Sequence, residues 1–107
     1  LTKSNFMVFV YTTCESMEEA RALGKLMIDH KIAACVDMWE VESIYRWQGK
    51  REDKKQAMLM VTTLESRLPD VEDLISQNHS YSVPMIAGVD VRRINQNYKE
   101  WFVQEIG

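Results

Sequence analysis

Cysteine is scarce in this chain. Only Cys14 and Cys35 occur, so one bridge is the most that could form, and the stapled framework on which small secreted domains rely is absent. Reduced thiols are the expectation. With two prolines and four glycines in 107 residues, the sequence is neither collagen-like nor a flexible linker nor low-complexity. No apolar run approaches the roughly 18 residues of a membrane-spanning helix. Leu1-Thr2-Lys3-Ser4-Asn5 leads into a strand-like stretch with no cleavage site of small residues. Positive charge is in deficit as well: 13 basic residues against 16 acidic ones leave a formal charge of −3, without the field that draws a protein to phosphates. The basic cluster Lys50-Arg51-Glu52-Asp53-Lys54-Lys55 is diluted by two acids and reads as a solvated hairpin end. The absences together predict a cytoplasmic chain with neither membrane nor nucleic acid as partner.

What is present suffices for a core. At 46% hydrophobic and 27% charged residues, the chain is expected to fold as one domain over residues 1–107 without disulfides. Phe6-Met7-Val8-Phe9-Val10-Tyr11 is too short for a stable helix and rich in strand formers, and it ends at Thr12-Thr13-Cys14. Ser16-Met17-Glu18-Glu19 has the spacing of a capping box, and Met17, Ala20, Leu23, Met27 and Ile28 form the apolar stripe of a helix running to about His30. Strand character returns at Ile32-Ala33-Ala34-Cys35-Val36. Beyond it Trp39, Val41, Ser43, Tyr45 and Trp47 occupy alternate positions, while Glu40, Glu42 and Arg46 take the other face.

Gln48-Gly49-Lys50 can close a turn into a return strand, Gln56 to Thr63, in which Met58 and Met60 read as core filling. Ser66 is placed to cap a second helix that stops near Asn78, with Pro69 in its first turn. A fourth strand is expected over Pro84–Val91, and Asn97-Tyr98-Lys99-Glu100 offers a cap for a final helix. The order β-α-β-β-α-β-α predicts an α+β, ferredoxin-like sandwich: two helices on one face of a four-stranded antiparallel sheet, plus a C-terminal helix.

One length does not fit inside such a domain. Ala33 to Trp47, kept extended, would measure roughly 50 Å at about 3.3 Å per residue, whereas a compact chain of this size has a radius of gyration of about 13 Å. The hairpin must bend or project. If it projects, Trp39, Val41, Tyr45 and Trp47 are left without cover from their own chain, and sister subunits are the natural shelter.

Chemistry-bearing residues are few. Cys14, between a strand end and a helix start, is where amide dipoles lower a thiol pKa, but no histidine stands at a telling distance in sequence. Cys35 is flanked by Ala34 and Val36 and has the look of a core thiol. His30 follows a helix end and suits a capping role. His79 lies in the polar break Gln77–Ser82 with Tyr81 nearby, where it could line a pocket. C-x-x-C, H-E-x-x-H, acidic Ca²⁺ loops and the P-loop are all missing, as is the aromatic strand motif of RNA-binding split βαβ modules.

Four blocks in order carry a resemblance. They are Ala33-Ala34-Cys35-Val36, Ser43-Ile44-Tyr45-Arg46-Trp47-Gln48-Gly49-Lys50, His79-Ser80-Tyr81-Ser82-Val83-Pro84 and Asn95-Gln96-Asn97-Tyr98-Lys99-Glu100-Trp101. Together they span nearly the whole chain and resemble the CutA divalent-cation tolerance proteins.

The resemblance implies a ferredoxin-like homotrimer with hairpins wrapping neighbouring subunits, and a binding role towards copper or other divalent cations in the response to metal ions. It also implies that the chain is not an enzyme. His79 and Cys35 match positions proposed for metal contact, with the Met85 sulfur as a further soft donor, and Thr12 stands at another proposed thiol position. Tyr81, Trp47 and Met85 are expected at an inter-subunit ligand cleft.

The chain departs from the family pattern at Met85 (usually acidic), Thr62 (lysine), Asp90 (proline) and Ile94 (glycine), all expected around that cleft. The bend before Ser43 is shorter, as Trp39-Glu40. Two other functions fit the same frame: a PII-like trimer binding small effectors between subunits, and an acyl-phosphate hydrolase. The hydrolase needs an anion-cradling loop with a fixed arginine, which Thr12-Thr13-Cys14-Glu15 does not provide.

Overall fold

A computed structural model describes residues 6–106; the Leu1–Asn5 stretch lies outside the described residues. Strand β1 (Met7–Cys14) leads to helix α1 (Met17–Asp29), the hairpin β2 (Cys35–Trp47) and β3 (Lys50–Leu64), helix α2 (Leu68–Asn78), strand β4 (Ala87–Asp90) and helix α3 (Gln96–Ile106). The sheet order is β2-β3-β1-β4 and every pairing is antiparallel. This is the expected α+β, ferredoxin-like frame.

Alternation in the strands sorts the layers. Val8, Val10 and Cys14 of β1 and Ala57, Leu59 and Val61 of β3 face α1 and α2, where they close the main core against Ala20, Leu23, Met27, Val71 and Ile75. On the opposite face Met7 and Leu64, which are register partners, sit under Phe102 and Ile106 of α3. Burying side chains of this size stabilises by about 1.5–3 kcal/mol each. The α3 cluster covers only one end of its face.

The rest of that face is open. Trp39, Val41, Ser43, Tyr45 and Trp47 share it with Gln56, Met58 and Met60, because Trp39 pairs with Met58 and Val41 with Gln56. Trp39 and Trp47 are 42% and 45% exposed. Met58 and Met60 are therefore not core fillers; they are half-buried on the uncovered side of the sheet.

Pairing runs unbroken from Cys35↔Thr62 to Trp47↔Lys50, so the hairpin neither bulges nor bends at Trp39-Glu40. Gln48 and Gly49 close it with φ of 50° and 80°, the two positive values that a tight hairpin turn requires. The result is a molecule 46 Å long and 26 Å wide, with a radius of gyration of 14.6 Å, above the roughly 13 Å of a compact chain of this length. The arm projects.

Other boundaries shift for local reasons. β1 continues through Cys14, because pairing to β3 persists to Ala57. The return strand begins at Lys50, since backbone pairing carries charged residues that an apolar pattern leaves out. Ser66 does not cap α2: Glu65–Arg67 form a 3₁₀ turn, and α2 starts at Leu68 with no side-chain cap. β4 is limited to four residues by its pairing with Val8–Tyr11. α3 begins at Gln96, so Asn97 lies inside its first turn.

The packing of α1 on the sheet is close at Gly24, where an added Cβ would lie 2.9 Å from Val36 Cγ2. Gly24→Leu should therefore destabilise the fold by about 1–3 kcal/mol, read as a lowered urea midpoint at unchanged slope.

Candidate functional site: a cleft beneath the hairpin

The α2–β4 connection carries His79, Tyr81 and Met85 of the expected site residues, and hydrogen bonds pin it to the sheet. His79 follows α2 directly and its amide donates to the Ile75 carbonyl at 2.9 Å. The Tyr81 amide donates to His79 Nδ1 at 3.0 Å, so the ring proton sits on Nε2, which donates to the Thr13 carbonyl at 3.0 Å. Both imidazole nitrogens are engaged. Glu19, near the start of α1, reaches the same loop: one carboxylate oxygen accepts from the Ser80 amide at 2.7 Å and the other from the Glu15 amide at 2.8 Å.

Cys14, Glu19 and His79 present donor atoms within 4.8 Å of one another. They do not fit a resident cation or a nucleophilic triad. Burial, and then the charge of Glu19, pushes the Cys14 thiol up to about 12, the reverse of the lowering expected at a helix start. A cation or a base function would also have to displace backbone partners already held by His79 and Glu19.

Cys35 is elsewhere. It pairs with Thr62 whereas Cys14 pairs with Ala57, and that length of β3 is roughly 17 Å. The chain thus does not bring Cys35 to His79. Cys35 lies instead 3.6 Å from Asp37 Oδ2 and beside Tyr98; burial and then the Asp37 charge raise its pKa. His30 caps α1, with Nδ1 2.8 Å from the Leu26 carbonyl.

What the fold does assemble is a cleft of about 610 Å³, bounded by the hairpin on one side and the 80–85 loop on the other. Trp47, Tyr81 and Met85 line it together with Tyr45, Glu52 and Lys54. Gln56 Nε2 donates to the Tyr81 hydroxyl, and Lys54 Nζ stands 5.5 Å from the centre of the Tyr81 ring. His79 packs behind Tyr81, ring centroids 5.0 Å apart.

Of the four family departures, only Met85 enters this cleft. Thr62 is buried, Ile94 packs with the α3 cluster and Asp90 sits exposed on β4. Within one chain Thr62 shares the strand face of Gln56 but lies six residues further along β3, and Ile94 is held by the α3 cluster. Sequence reasoning passed over Glu52 and Lys54 by treating the basic cluster as solvated, and read Gln56 only as the start of the return strand. The period-2 alternation that places Tyr45 and Trp47 on one face would have placed these three beside them.

An antiparallel four-stranded sheet with two helices on one face, a third on the other and an overreaching hairpin defines a ferredoxin-like α+β sandwich. The CutA1 divalent ion tolerance protein family model matches residues 8–105. The chain is 33% identical to the divalent-cation tolerance protein CutA of Thermococcus kodakarensis over 91% of its own length and 93% of that protein. A solved structure of the periplasmic divalent cation tolerance protein CutA from Archaeoglobus fulgidus superposes with a TM-score of 0.91, at 29% identity, covering 94% of this chain and 99% of that one. CutA1 from Pyrococcus horikoshii gives 0.88 at 31% identity over 92% and 96%. This chain belongs to the CutA1 divalent ion tolerance family. The family is named for tolerance and not for a catalysed reaction.

Glu19 gives the site a pH dependence. Burial opposes its charge, but the Glu15 and Ser80 amides, with His79 nearby, hold its pKa below the ordinary 4.5. A depressed carboxylate stabilises the fold above its unfolded pKa and loses that contribution as pH falls through the folded value. Wild type should therefore exceed Glu19→Gln in thermal midpoint at neutral pH, and the difference should shrink in acid below about pH 4.

Proposed function

We propose that the chain works as a homotrimer in the cytoplasm that takes part in the response to divalent metal ions, copper among them, by binding and not by catalysis. The carrying observation is the unbroken hairpin, which extends past its own core with Trp39 and Trp47 nearly half exposed. Closed symmetric assembly covers the Trp39, Met58 and Met60 part of such a face, leaving the Trp47 end to the cleft, and shelters the free edges of β2 and β4. Catalysis is disfavoured by a buried, high-pKa Cys14 and an imidazole with no free nitrogen.

The cytoplasmic reading is supported by the scarcity of cysteine, two in 107 residues, which leaves no disulfide framework of the kind small secreted domains use. The names periplasmic and chloroplastic borne by relatives from Archaeoglobus fulgidus and rice describe those proteins. Copper or another divalent cation is cargo in this proposal, reaching Cys35, the exposed Met85 side chain or a His79 ring that has given up the Thr13 carbonyl, and among the described residues no vacant preformed site within one chain receives it.

A second reading, an effector-binding trimer of PII-like type with no physiological metal, is favoured by the cleft at Tyr81, Trp47 and Lys54. Light scattering should give about three times the 12.5 kDa chain mass and a smaller species for Trp39→Glu; a wild-type monomer at micromolar concentration ends the trimer proposal. Calorimetric titration of Cu²⁺ should show weaker binding by His79→Ala than by wild type. Unchanged binding removes the imidazole from the cargo reading and leaves the effector reading in force.

A further inference from the structure

We infer that the cleft takes a small zwitterion with an aromatic body, in chemical class an aromatic α-amino acid; this rests on the effector-binding reading of that cleft. Glu52, Lys54 and Gln56 alternate along β3 and so emerge on one face, opposite Tyr45, Ser43 and Val41 of β2. One anion and one cation thus stand two residues apart over an aromatic floor. Neither is neutralised: among the described residues the ion pairs are Arg51–Asp53 and Arg67–Asp70. Arg51 and Asp53, on the reverse face of the same strand, close on each other at 3.0 Å.

A ligand with only a carboxylate would gain Lys54 and be repelled by Glu52, and a simple amine would meet the opposite conflict. A zwitterion satisfies both with charge-assisted hydrogen bonds. Trp47, Tyr45 and Tyr81 supply the faces on which a flat apolar body packs. The volume of about 610 Å³ lies inside the roughly 300–1,000 Å³ range of small-molecule pockets. The Tyr81 wall is held in advance, its hydroxyl by Gln56 and its amide by His79, so little ordering is left for the ligand to impose.

The probes are L-phenylalanine, phenylacetate, which lacks the ammonium, and phenethylamine, which lacks the carboxylate, each titrated calorimetrically into the assembled protein. Phenylalanine should bind with one site per chain, and each truncated probe about tenfold more weakly or worse. Lys54→Met and Glu52→Gln should each weaken phenylalanine by a similar factor, whereas Lys55→Gln, exposed on the reverse face, should not change it. Light scattering on each variant separates lost assembly from lost binding, and the three-probe comparison on unaltered protein stands without the variants. Phenylacetate or phenethylamine binding as tightly as phenylalanine would overturn the zwitterion while sparing the effector reading. Binding indifferent to both Lys54→Met and Glu52→Gln would do the same. No heat and no rise in thermal midpoint from any of the three, nor from a panel of small anions, would overturn both.

Discussion

The unbroken antiparallel register between β2 and β3 is the constraint on which the rest of the molecule depends. Each backbone bond in a ribbon contributes little on its own, but a register without a bulge leaves the ribbon no place to turn back. Its outer half therefore leaves the shelter of α1, α2 and α3. From that one geometric fact follow the exposed Trp39 and Trp47, the unclosed face over Met58 and Met60, and the wall against which the 80–85 loop encloses a cleft. Edge strands of this length are a hazard when nothing pairs with them, and the outer half is charged on its reverse face through Arg46, Arg51, Asp53 and Lys55.

A second, smaller device sets the opposite wall. His79 shares its two ring nitrogens between the end of β1 and the amide of Tyr81, and Glu19 shares its two oxygens between the start of α1 and Ser80. A loop joining a helix to an edge strand is in this way tied to both the sheet and the first helix. The same bonds that make His79 and Glu19 valuable as positioning groups make them poor metal ligands, since each would have to give up a backbone partner to take a cation. Three residues with ligand-type atoms within 4.8 Å are therefore better understood as a brace than as a centre.

Much of this was legible in the sequence, for identifiable reasons. Alternation from Trp39 to Trp47 was strict enough to give the face, the length and the overreach at once, and the stripe from Met17 to Ile28 gave α1. The boundaries that moved are those where pairing overrode composition: Lys50 to Lys55 looks like a solvated turn because its side chains are charged, yet its backbone is held by Tyr45, Arg46 and their neighbours. Ser66 was read as a cap because its side chain suits one, but a 3₁₀ turn delays the helix to Leu68. What one-dimensional pattern could not reveal was the meeting of Glu19 with Ser80, 61 residues apart, or the engagement of both nitrogens of His79.

The family departures acquire different meanings once their positions are known. Where the resemblance leads one to expect a lysine, Thr62 is 2% exposed on the α3 face, and its hydroxyl lies beside Tyr98. Burial, and then the neighbouring Cys35, pushes the Tyr98 phenol up to about 12. An ammonium confined there would need a charge partner at close range, whereas threonine asks only for a hydroxyl contact. Ile94 adds apolar bulk to the same cluster. These two changes make the α3 layer drier and leave the cleft untouched. Met85 alone alters the cleft, by removing a negative charge from its rim. Among the residues that line it, the balance then rests on Glu52 against Lys54, and that pairing of opposite signs, more than any single residue, is what a ligand entering beneath the hairpin must match.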